Sequence, residues 1–288
     1  MFMQSLNYYL HKAKSECWAV PHFNASNLEM IKAIVESSQE LNAPVMIGMS
    51  ESEREFIGLN QAQSIIKCYK EKGAVIFLNA DHSKSFDSCK NAIDAGFDSI
   101  HFDGSHLSLK ENFEITKKVV LYAKNKNTDI SIEGELGYIP TESSKIYNKE
   151  IKVDKNYFTK PEQVRAFIKN SKINRLASVV GSIHGIAINN PHLDIDLIKR
   201  INFEAGNVSL VLHGGSGVLP LDIKNAIKAG ISNIHISTEL RNIYKDSLYK
   251  SLDKDNLAPY KIMEPVIAKM KEFIKEKIKF FGANNKCK

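Results

Sequence analysis

The sequence predicts an α/β fold in which eight strand–helix pairs close into a single (β/α)8, or TIM, barrel with an extra C-terminal helix. Short apolar runs alternate with longer amphipathic segments along the 288 residues. Most of these runs are apolar on both faces, as the strands of a buried parallel sheet are. Eight is also the number of pairs at which a barrel closes. A doubly wound sheet is the alternative, but no GxGxxG motif follows the first strand, so the barrel is favoured.

The predicted strands are the short apolar runs, and the predicted helices are the segments with apolar residues at helical spacing. The strands cover residues 17–23, 44–50, 74–80, 98–103, 129–135, 175–181, 207–213 and 231–237. The helices cover residues 27–42, 59–72, 84–95, 108–126, 160–170, 193–203, 220–229, a segment ending near 252, and 261–280. No low-complexity linker or change in composition divides the chain. We therefore expect one domain over residues 1–288.

One connection is unusually long. Residues 136–158, LGYIPTESSKIYNKEIKVDKNYF, follow the fifth strand and are polar and poorly periodic. A connection of this length in a compact domain is usually a lid, a binding loop or a mobile segment.

Composition limits the classes of function. Hydrophobic residues make up 43% of the chain and charged residues 25%, which is ordinary for a globular protein. The net charge of +6 comes from scattered lysines, and no basic stripe interleaved with aromatics indicates nucleic acid. The chain has no apolar run long enough for a membrane span, no signal peptide, and four widely separated cysteines without a CxxC pair. We expect a soluble, cytoplasmic protein that binds neither nucleic acid nor membrane.

Polar side chains collect where the predicted strands end, which in a barrel is the edge that carries the active site. They are Asp81, His82, Asp103, Glu133, Glu135, His184, His213, Ser216, Ser237, Thr238 and Glu239. Each alone has a plain explanation, because strand-terminal Asp and Ser commonly cap the next helix and glycines form turns. Three histidines and several acids at one edge are hard to explain as independent caps.

Three histidines from one barrel edge, His82, His184 and His213, form the usual ligand set of a catalytic zinc with an open fourth position. Other histidines have weaker claims. We expect His101 to pack against a helix from inside its strand, and His106 to orient a metal ligand. His11, His22 and His192 lie outside the strand ends.

Two hypotheses for the role of Asp81 have equal weight. It caps the helix that begins near Lys84, or it exchanges a proton with a substrate hydroxyl beside the metal. The glycines and serine at 214–216, together with Ser237 and Thr238, follow the last two strands, where many TIM barrels bind phosphate. Metal and phosphate sites this close imply a small phosphorylated substrate that spans both.

Four motifs occur in order: DGSH (103–106), ExELG (133–137), HG (184–185) and HGGSG (213–217). With these motifs, and with stretches such as AVPHFNASN near the N-terminus and IKFFGANNK near the C-terminus, the chain resembles the class II (zinc-dependent) fructose-bisphosphate and tagatose-bisphosphate aldolases over essentially its whole length. The resemblance implies reversible aldol cleavage of a ketohexose 1,6-bisphosphate to dihydroxyacetone phosphate and glyceraldehyde 3-phosphate. It also implies a homodimer or homotetramer.

The resemblance implies a role for each matched position. It places the catalytic zinc (Zn2+) on His82, His184 and His213, the acid/base at the C4 hydroxyl on Asp81, and a second divalent or monovalent cation at Asp103 and Glu135. It places the dihydroxyacetone phosphate cradle at Gly185, Gly214, Gly215, Ser216, His235, Ile236, Ser237 and Thr238. Asn24 and Ser50 fall near the substrate, and Arg241 matches a position that holds the second phosphate in some members.

The chain departs from the family pattern at several positions. The family's GG-x-ED after ELG reads YIPTESSK here, so its carboxylate is either missing or supplied by Glu142. Ile188 stands where a lysine is frequent, His235 where an asparagine is expected, and NADH (79–82) replaces HLDH. Two alternatives follow: an aldolase of the same fold that acts on another phosphorylated keto-sugar or keto-acid, and a degenerate homologue that binds sugar phosphates without turnover.

Overall fold

The computed structural model describes residues 4–189, 192–252 and 257–287. Within them, eight parallel strands form a closed barrel in the order β1–β2–β3–β4–β5–β7–β9–β10, with β10 hydrogen-bonded to β1, while β6 and β8 pair separately. The strands are β1 (Val20–Asn24), β2 (Val45–Met49), β3 (Ile76–Ser83), β4 (Ser99–Phe102), β5 (Ser131–Leu136), β6 (Ile146–Tyr147), β7 (Arg175–Ser178), β8 (Ile186–Ala187), β9 (Ser209–Leu212) and β10 (Ile231–Ile236). The predicted TIM barrel is confirmed.

Helices surround the barrel. They are α1 (Leu6–Glu16), α2 (Leu28–Glu40), α3 (Glu51–Ile57), α4 (Leu59–Glu71), α5 (Phe86–Asp94), α6 (Leu109–Lys126), α7 (Pro161–Ser171), α8 (Ile195–Ala205), α9 (Pro220–Ala229), α10 (Thr238–Ser251) and α11 (Pro259–Phe280). Helix α11 is the expected extra C-terminal helix. It is held to α2 by Lys271, which pairs with Glu36 and Glu40. None of the helices in the described ranges is long and apolar enough to cross a membrane.

Two helices were not predicted. Helix α1 lies across the amino-terminal end of the barrel, where Tyr9 packs against Phe77 and Lys14 donates to the carbonyls of Gly206 and Val208. Helix α3 has only seven residues, ESEREFI, and most of them are charged. A segment this short and polar shows no apolar stripe, so its helical periodicity cannot be detected.

The strand ends differ from prediction in a way that shapes the site. Strand β3 continues to Ser83, and its register with β4 shifts between Ala80 and Ser83. His82 lies in this irregular stretch with φ of +47°, a conformation that non-glycine residues rarely adopt and that is concentrated at functional sites. Strand β9 ends at Leu212, so His213 is the first residue of the loop.

The interior of the barrel is polar around Arg175. This side chain is wholly buried and donates to the Ser99 hydroxyl and to side-chain oxygens of Asn79 and Asn233, which come from β3, β4 and β10. Its guanidinium also lies 2.5 Å from Glu133 of β5. The network links opposite sides of the barrel directly beneath the polar mouth.

Candidate active site

A small polar cleft opens at the carboxyl ends of the strands. It is lined by Asn24, Ser50, Asp81, His82, Ser143, His184, Gly185, His213, Gly214, Ser216, His235, Ser237, Thr238 and Arg241. All of these except Ser143 were predicted from the sequence. Four predicted residues lie outside this lining: Asp103, Glu135, Gly215 and Ile236.

The three predicted zinc ligands meet in the cleft. The ring centre of His82 is 5.1 Å from that of His184 and 4.7 Å from that of His213, and the last two are 6.0 Å apart. Burial lowers the pKa of His184 and of His213 to about 3. Both rings are therefore neutral at physiological pH, as a metal ligand must be.

Carboxylates fix the orientation of two of these rings. His82 Nδ1 lies 2.9 Å from Asp103 Oδ2, and His213 Nε2 lies 2.7 Å from Glu133 Oε1. These contacts leave Nε2 of His82 and Nδ1 of His213 free to face the cleft. A carboxylate behind a histidine is the usual support of a metal ligand. Asp103 therefore contacts His82, while Ser105 donates to its other oxygen.

The expectation for His101 was wrong. Its wholly buried ring lies against the site rather than against a helix, with Nδ1 3.7 Å from Asp81 Oδ1. Its Nε2 lies 3.1 Å from Glu135 Oε2 without the alignment of a hydrogen bond. Asp81, His82, His101 and His213 each offer a ligand atom within 4.8 Å of the others, a set that does not include His184. His101 alternates with apolar neighbours in β4, and this pattern does not indicate that its side chain lies against the site.

The expected role of His106 is not supported either, because its side chain is exposed and Ser105 supports Asp103 instead. Asp103, Glu135 and His82 do each offer a ligand atom within 4.8 Å of one another. Burial raises the pKa of Glu135, and the nearby Asp103 raises it further. A second cation at these residues remains a prediction.

Asp81 does not cap the following helix. Ser85 does, because its side chain accepts the backbone N–H of Ser88 at the start of α5. Asp81 Oδ2 instead accepts from Asn24 Nδ2 at 3.0 Å. Burial opposes ionisation of Asp81, yet the surrounding histidines, His82 first among them, hold its pKa well below the usual value. The residue is a buried carboxylate that lines the cleft.

The glycine-rich loop and the start of α10 form the other end of the cleft. Ser216 Oγ accepts the backbone N–H groups of Ser237 and Glu239, each at 3.3 Å. These contacts hold residues 214–216 against the amino-terminal end of a 14-residue helix, a place that attracts anions. Gly215 lies behind the surface, where its N–H donates to the carbonyl of His235.

The long connection after β5 covers one side of the cleft. Thr141 Oγ1 accepts the backbone N–H of His184 at 2.8 Å, and Ser143 bonds to Thr238 and Arg241. Glu142 points away: its side chain is 64% exposed and pairs with Lys145. Glu142 therefore does not replace the carboxylate that the family pattern expects.

His235 and His22 form a stacked pair beside Asp81. Their ring centres are 3.5 Å apart and the planes differ by 7°. His235 Nδ1 lies 3.5 Å from Asp81 Oδ1, and burial lowers the pKa of His235 to about 3. The ring of His22 fits because Gly48 has no side chain: a Cβ there would lie 2.1 Å from His22 Cε1. Sequence reasoning missed His22, since it lies inside β1.

A parallel barrel with histidines, acids and a glycine-rich loop at the carboxyl ends of its strands is the arrangement of a TIM-barrel enzyme. The profile of the family described as fructose-bisphosphate aldolase class-II matches residues 4–286. The chain therefore belongs to the class II fructose-bisphosphate aldolase family, and it is a class II aldolase, a carbon–carbon lyase.

Named relatives match all or nearly all of the chain. The chain is 34% identical to a fructose-bisphosphate aldolase of Staphylococcus epidermidis over 294 residues, 100% of both chains. It is also 34% identical to the sulfofructosephosphate aldolase of Alkalicoccus urumqiensis over 285 residues, 97% of this chain and 96% of the relative. Among solved structures, the YdjI aldolase of Escherichia coli K12 matches with a TM-score of 0.86 and 27% identity, covering 100% of both chains.

Proposed function

We propose that the protein catalyses zinc-dependent, reversible aldol cleavage of a phosphorylated ketose and releases dihydroxyacetone phosphate. The resemblance to the class II aldolases implies fructose or tagatose 1,6-bisphosphate as substrates, with glyceraldehyde 3-phosphate as the second product. One observation carries the proposal: the three histidines and Asp81 line the same cleft as Gly214, Ser216, Ser237 and Thr238. Metal ligands, an acid and an anion-binding loop are the parts that this reaction needs.

The residues present fit a zinc ion. His82, His184 and His213 would supply three nitrogens, and the carboxylates behind His82 and His213 leave one nitrogen of each ring free for the cleft. The three ring centres lie 4.7 to 6.0 Å apart, and His184 lies outside the group whose ligand atoms are within 4.8 Å of one another. When bound, zinc polarises the ketone carbonyl and stabilises the negative charge that develops as the C3–C4 bond breaks. The chemistry does not require a lysine that forms a Schiff base, and none lies among the residues that line the cleft.

Asp81 is suited to take the proton of the C4 hydroxyl during cleavage and to return it in the reverse direction. Asn24 holds one of its oxygens, and Oδ1 has no hydrogen-bond partner among the described residues. A buried carboxylate that is ionised and only partly hydrogen-bonded is a competent base once the substrate brings a hydroxyl to it.

The phosphate of the dihydroxyacetone half fits the end of the cleft formed by the glycine-rich loop and α10. The positive end of the α10 dipole, the backbone N–H groups there and the hydroxyl of Ser216 suit a dianion, whereas the Thr238 hydroxyl already donates to the Ser143 carbonyl. Ser143 joins this end to the long connection through Thr238.

A second candidate substrate is another phosphorylated keto-sugar. Three observations favour it: Glu142 lies outside the cleft, Arg241 is already paired with an acid, and one relative is named for sulfofructosephosphate. A homologue that binds sugar phosphates without turnover is the remaining alternative.

The test is an assay of dihydroxyacetone phosphate release from fructose and tagatose phosphates, before and after treatment with EDTA. We expect cleavage that EDTA abolishes and added zinc restores. Trapping of substrate on a lysine by borohydride would overturn the mechanism. Tight binding of sugar phosphates without any product would favour the non-catalytic homologue.

We further propose that residues 1–288 act as one barrel domain in the cytoplasm, assembled as a homodimer or homotetramer. Light scattering of the purified protein tests the assembly: a monomeric mass would contradict it.

A further inference from the structure

The wall of the cleft beside the first turn of α10 contains a buried ion pair that the aldolase reaction itself does not require. Glu53, in the first turn of α3, is 7% exposed, and its Oε1 accepts from Arg241 Nη2 at 2.7 Å. Its Oε2 accepts the backbone N–H of Ser50 at 2.8 Å and the amide of Asn24 at 3.3 Å. Glu53 thus lies directly behind three residues of the cleft wall.

Glu53 neutralises the positive charge that Arg241 brings to the cleft. Arg241 is the one lysine or arginine among the described residues that line it. Its Nη2 is bonded to Glu53 and its Nη1 to Ser143 Oγ at 3.2 Å. Asp81, a second acid, lies in the same wall.

A second phosphate that bound at Arg241 would meet an arginine whose charge is already neutralised by Glu53. Arg241 keeps three N–H groups beside the two that bond to Glu53 and Ser143, but a phosphate bound to them would lie next to the buried carboxylate of Glu53, whose charge already offsets that of Arg241. A carboxylate placed where an unwanted anionic group would bind disfavours the binding of that group by charge repulsion.

We infer that Glu53 determines substrate specificity by excluding a second phosphate, so that the preferred substrate is a ketose 1-phosphate whose far end is not a dianion. This inference rests on the proposed aldolase function and names its substrate class. Glu53 acts through Arg241 and is a positioning residue.

The opposite reading is that Glu53 orients Arg241 to bind a second phosphate. The two readings predict opposite effects of one substitution. Glu53→Gln removes the charge but keeps an amide oxygen for the Ser50 N–H, and glutamine serves in this capping arrangement as well as glutamate does. The variant should therefore fold.

The experiment measures kcat/KM of the zinc-loaded protein for fructose 1-phosphate and fructose 1,6-bisphosphate. We expect the wild type to prefer the 1-phosphate. Glu53→Gln should raise the ratio of bisphosphate to monophosphate activity about tenfold or more, mainly through a lower KM for the bisphosphate. Glu51→Gln is the matched control, because Glu51 lies in the same turn but accepts from the Lys84 N–H outside the cleft, and its ratio should not change.

Calorimetric binding of the same two sugars measures the ratio without turnover. If neither sugar releases dihydroxyacetone phosphate, the proposed function fails, and the binding ratio still tests Glu53. A wild type that prefers the bisphosphate, with a ratio that Glu53→Gln lowers or leaves unchanged in both measurements, would overturn the inference while leaving the aldolase function intact.

Discussion

Arg175 shows how a residue outside the cleft supports a proposed metal ligand, His213, within it. Its guanidinium neutralises Glu133, and Glu133 in turn holds Nε2 of His213. Burial alone would raise the pKa of Glu133, but Arg175 and the neighbouring histidines hold it well below the usual value. The charge on Arg175 therefore keeps Glu133 ionised. Glu133 then accepts the hydrogen bond from His213 Nε2 and holds this ring in one orientation.

Replacement of Arg175 by methionine should weaken zinc binding about 10- to 100-fold, because a carboxylate that supports a ligand loses its partner. It should also lower the free energy of unfolding by about 3–5 kcal/mol, since Glu133 is left as an unpaired buried charge. Zinc competition with a chromophoric chelator and urea unfolding measure the two effects. Arg200→Met, an exposed position on α8, is the control. Zinc affinity equal to that of wild type would contradict the role of Arg175.

His235 should make the metal-free protein sensitive to acid. Burial lowers the pKa of His235 to about 3, well below the ordinary histidine value of about 6.5, so between these values the unfolded chain binds a proton that the folded chain does not. Stability is therefore lost as the pH falls below about 6.5. Asparagine does not titrate. Between pH 7.5 and 5.0, His235→Asn should gain about 2 kcal/mol of unfolding free energy relative to wild type.

Urea unfolding of the EDTA-treated proteins at the two pH values measures this difference. His11→Asn, at an exposed histidine of α1, is the control substitution. A difference between His235→Asn and wild type that stays constant with pH would show that His235 is not held neutral.

At the residue scale, the sequence predicted most of the cleft because the ends of parallel strands must meet. Asp81, His82 and His213 each follow an apolar run, and this position alone brings them together. His22 and His101 were missed because they lie inside strands, where periodicity does not show which face looks into the barrel. Glu53 was missed because it does not line the cleft itself and contacts it through Asn24, Ser50 and Arg241, of which Arg241 is 188 residues away.

At the scale of elements, the connection after β5 depends on a glycine. Gly185 has φ of +90°, and a Cβ there would lie 2.6 Å from the carbonyl oxygen of Lys145 and 2.7 Å from the ring of Tyr147. The pairing of β6 with β8 brings this connection onto the residue that follows His184. The connection can cover the cleft only while position 185 has no side chain.

Gly185→Ala should displace the connection and raise KM for the phosphorylated substrate about tenfold or more. Limited proteolysis should also cut within residues 138–158 faster than in wild type. Gly206→Ala is the matched control, because Gly206 also has a positive φ, +58°, but nothing lies within 4 Å of the added Cβ. An unchanged KM together with an unchanged cleavage pattern in Gly185→Ala would refute this role of the connection.

The sequence predicted the elements best where they are long and periodic. Nine of the eleven helices were anticipated within the described ranges, whereas α3 was too short and too charged to show a stripe. Strands β6 and β8 have two residues each, so no alternation can reveal them. They form through tertiary contact between two loops.

At the scale of the whole molecule, the barrel brings together residues that are far apart in the chain. His82 lies at the end of β3, His213 directly follows β9, and His184 lies in the loop between β7 and β8, while the glycine-rich end of the cleft follows β9 and β10. The closed order of strands makes this convergence unavoidable. We propose that Glu53 helps to decide which sugar fits, and the strand pattern does not encode its contacts with Asn24, Ser50 and Arg241.

The central claim is that one zinc ion at the three histidines supports aldol cleavage. Titration of zinc into metal-depleted protein, with dihydroxyacetone phosphate release followed on a mixture of fructose 1-phosphate and fructose 1,6-bisphosphate, tests it most directly. We expect the rate to rise in proportion to zinc and to level off at about one equivalent per chain, with His184→Ala inactive throughout. Full activity of the metal-depleted protein, or an active His184→Ala variant, would contradict the claim.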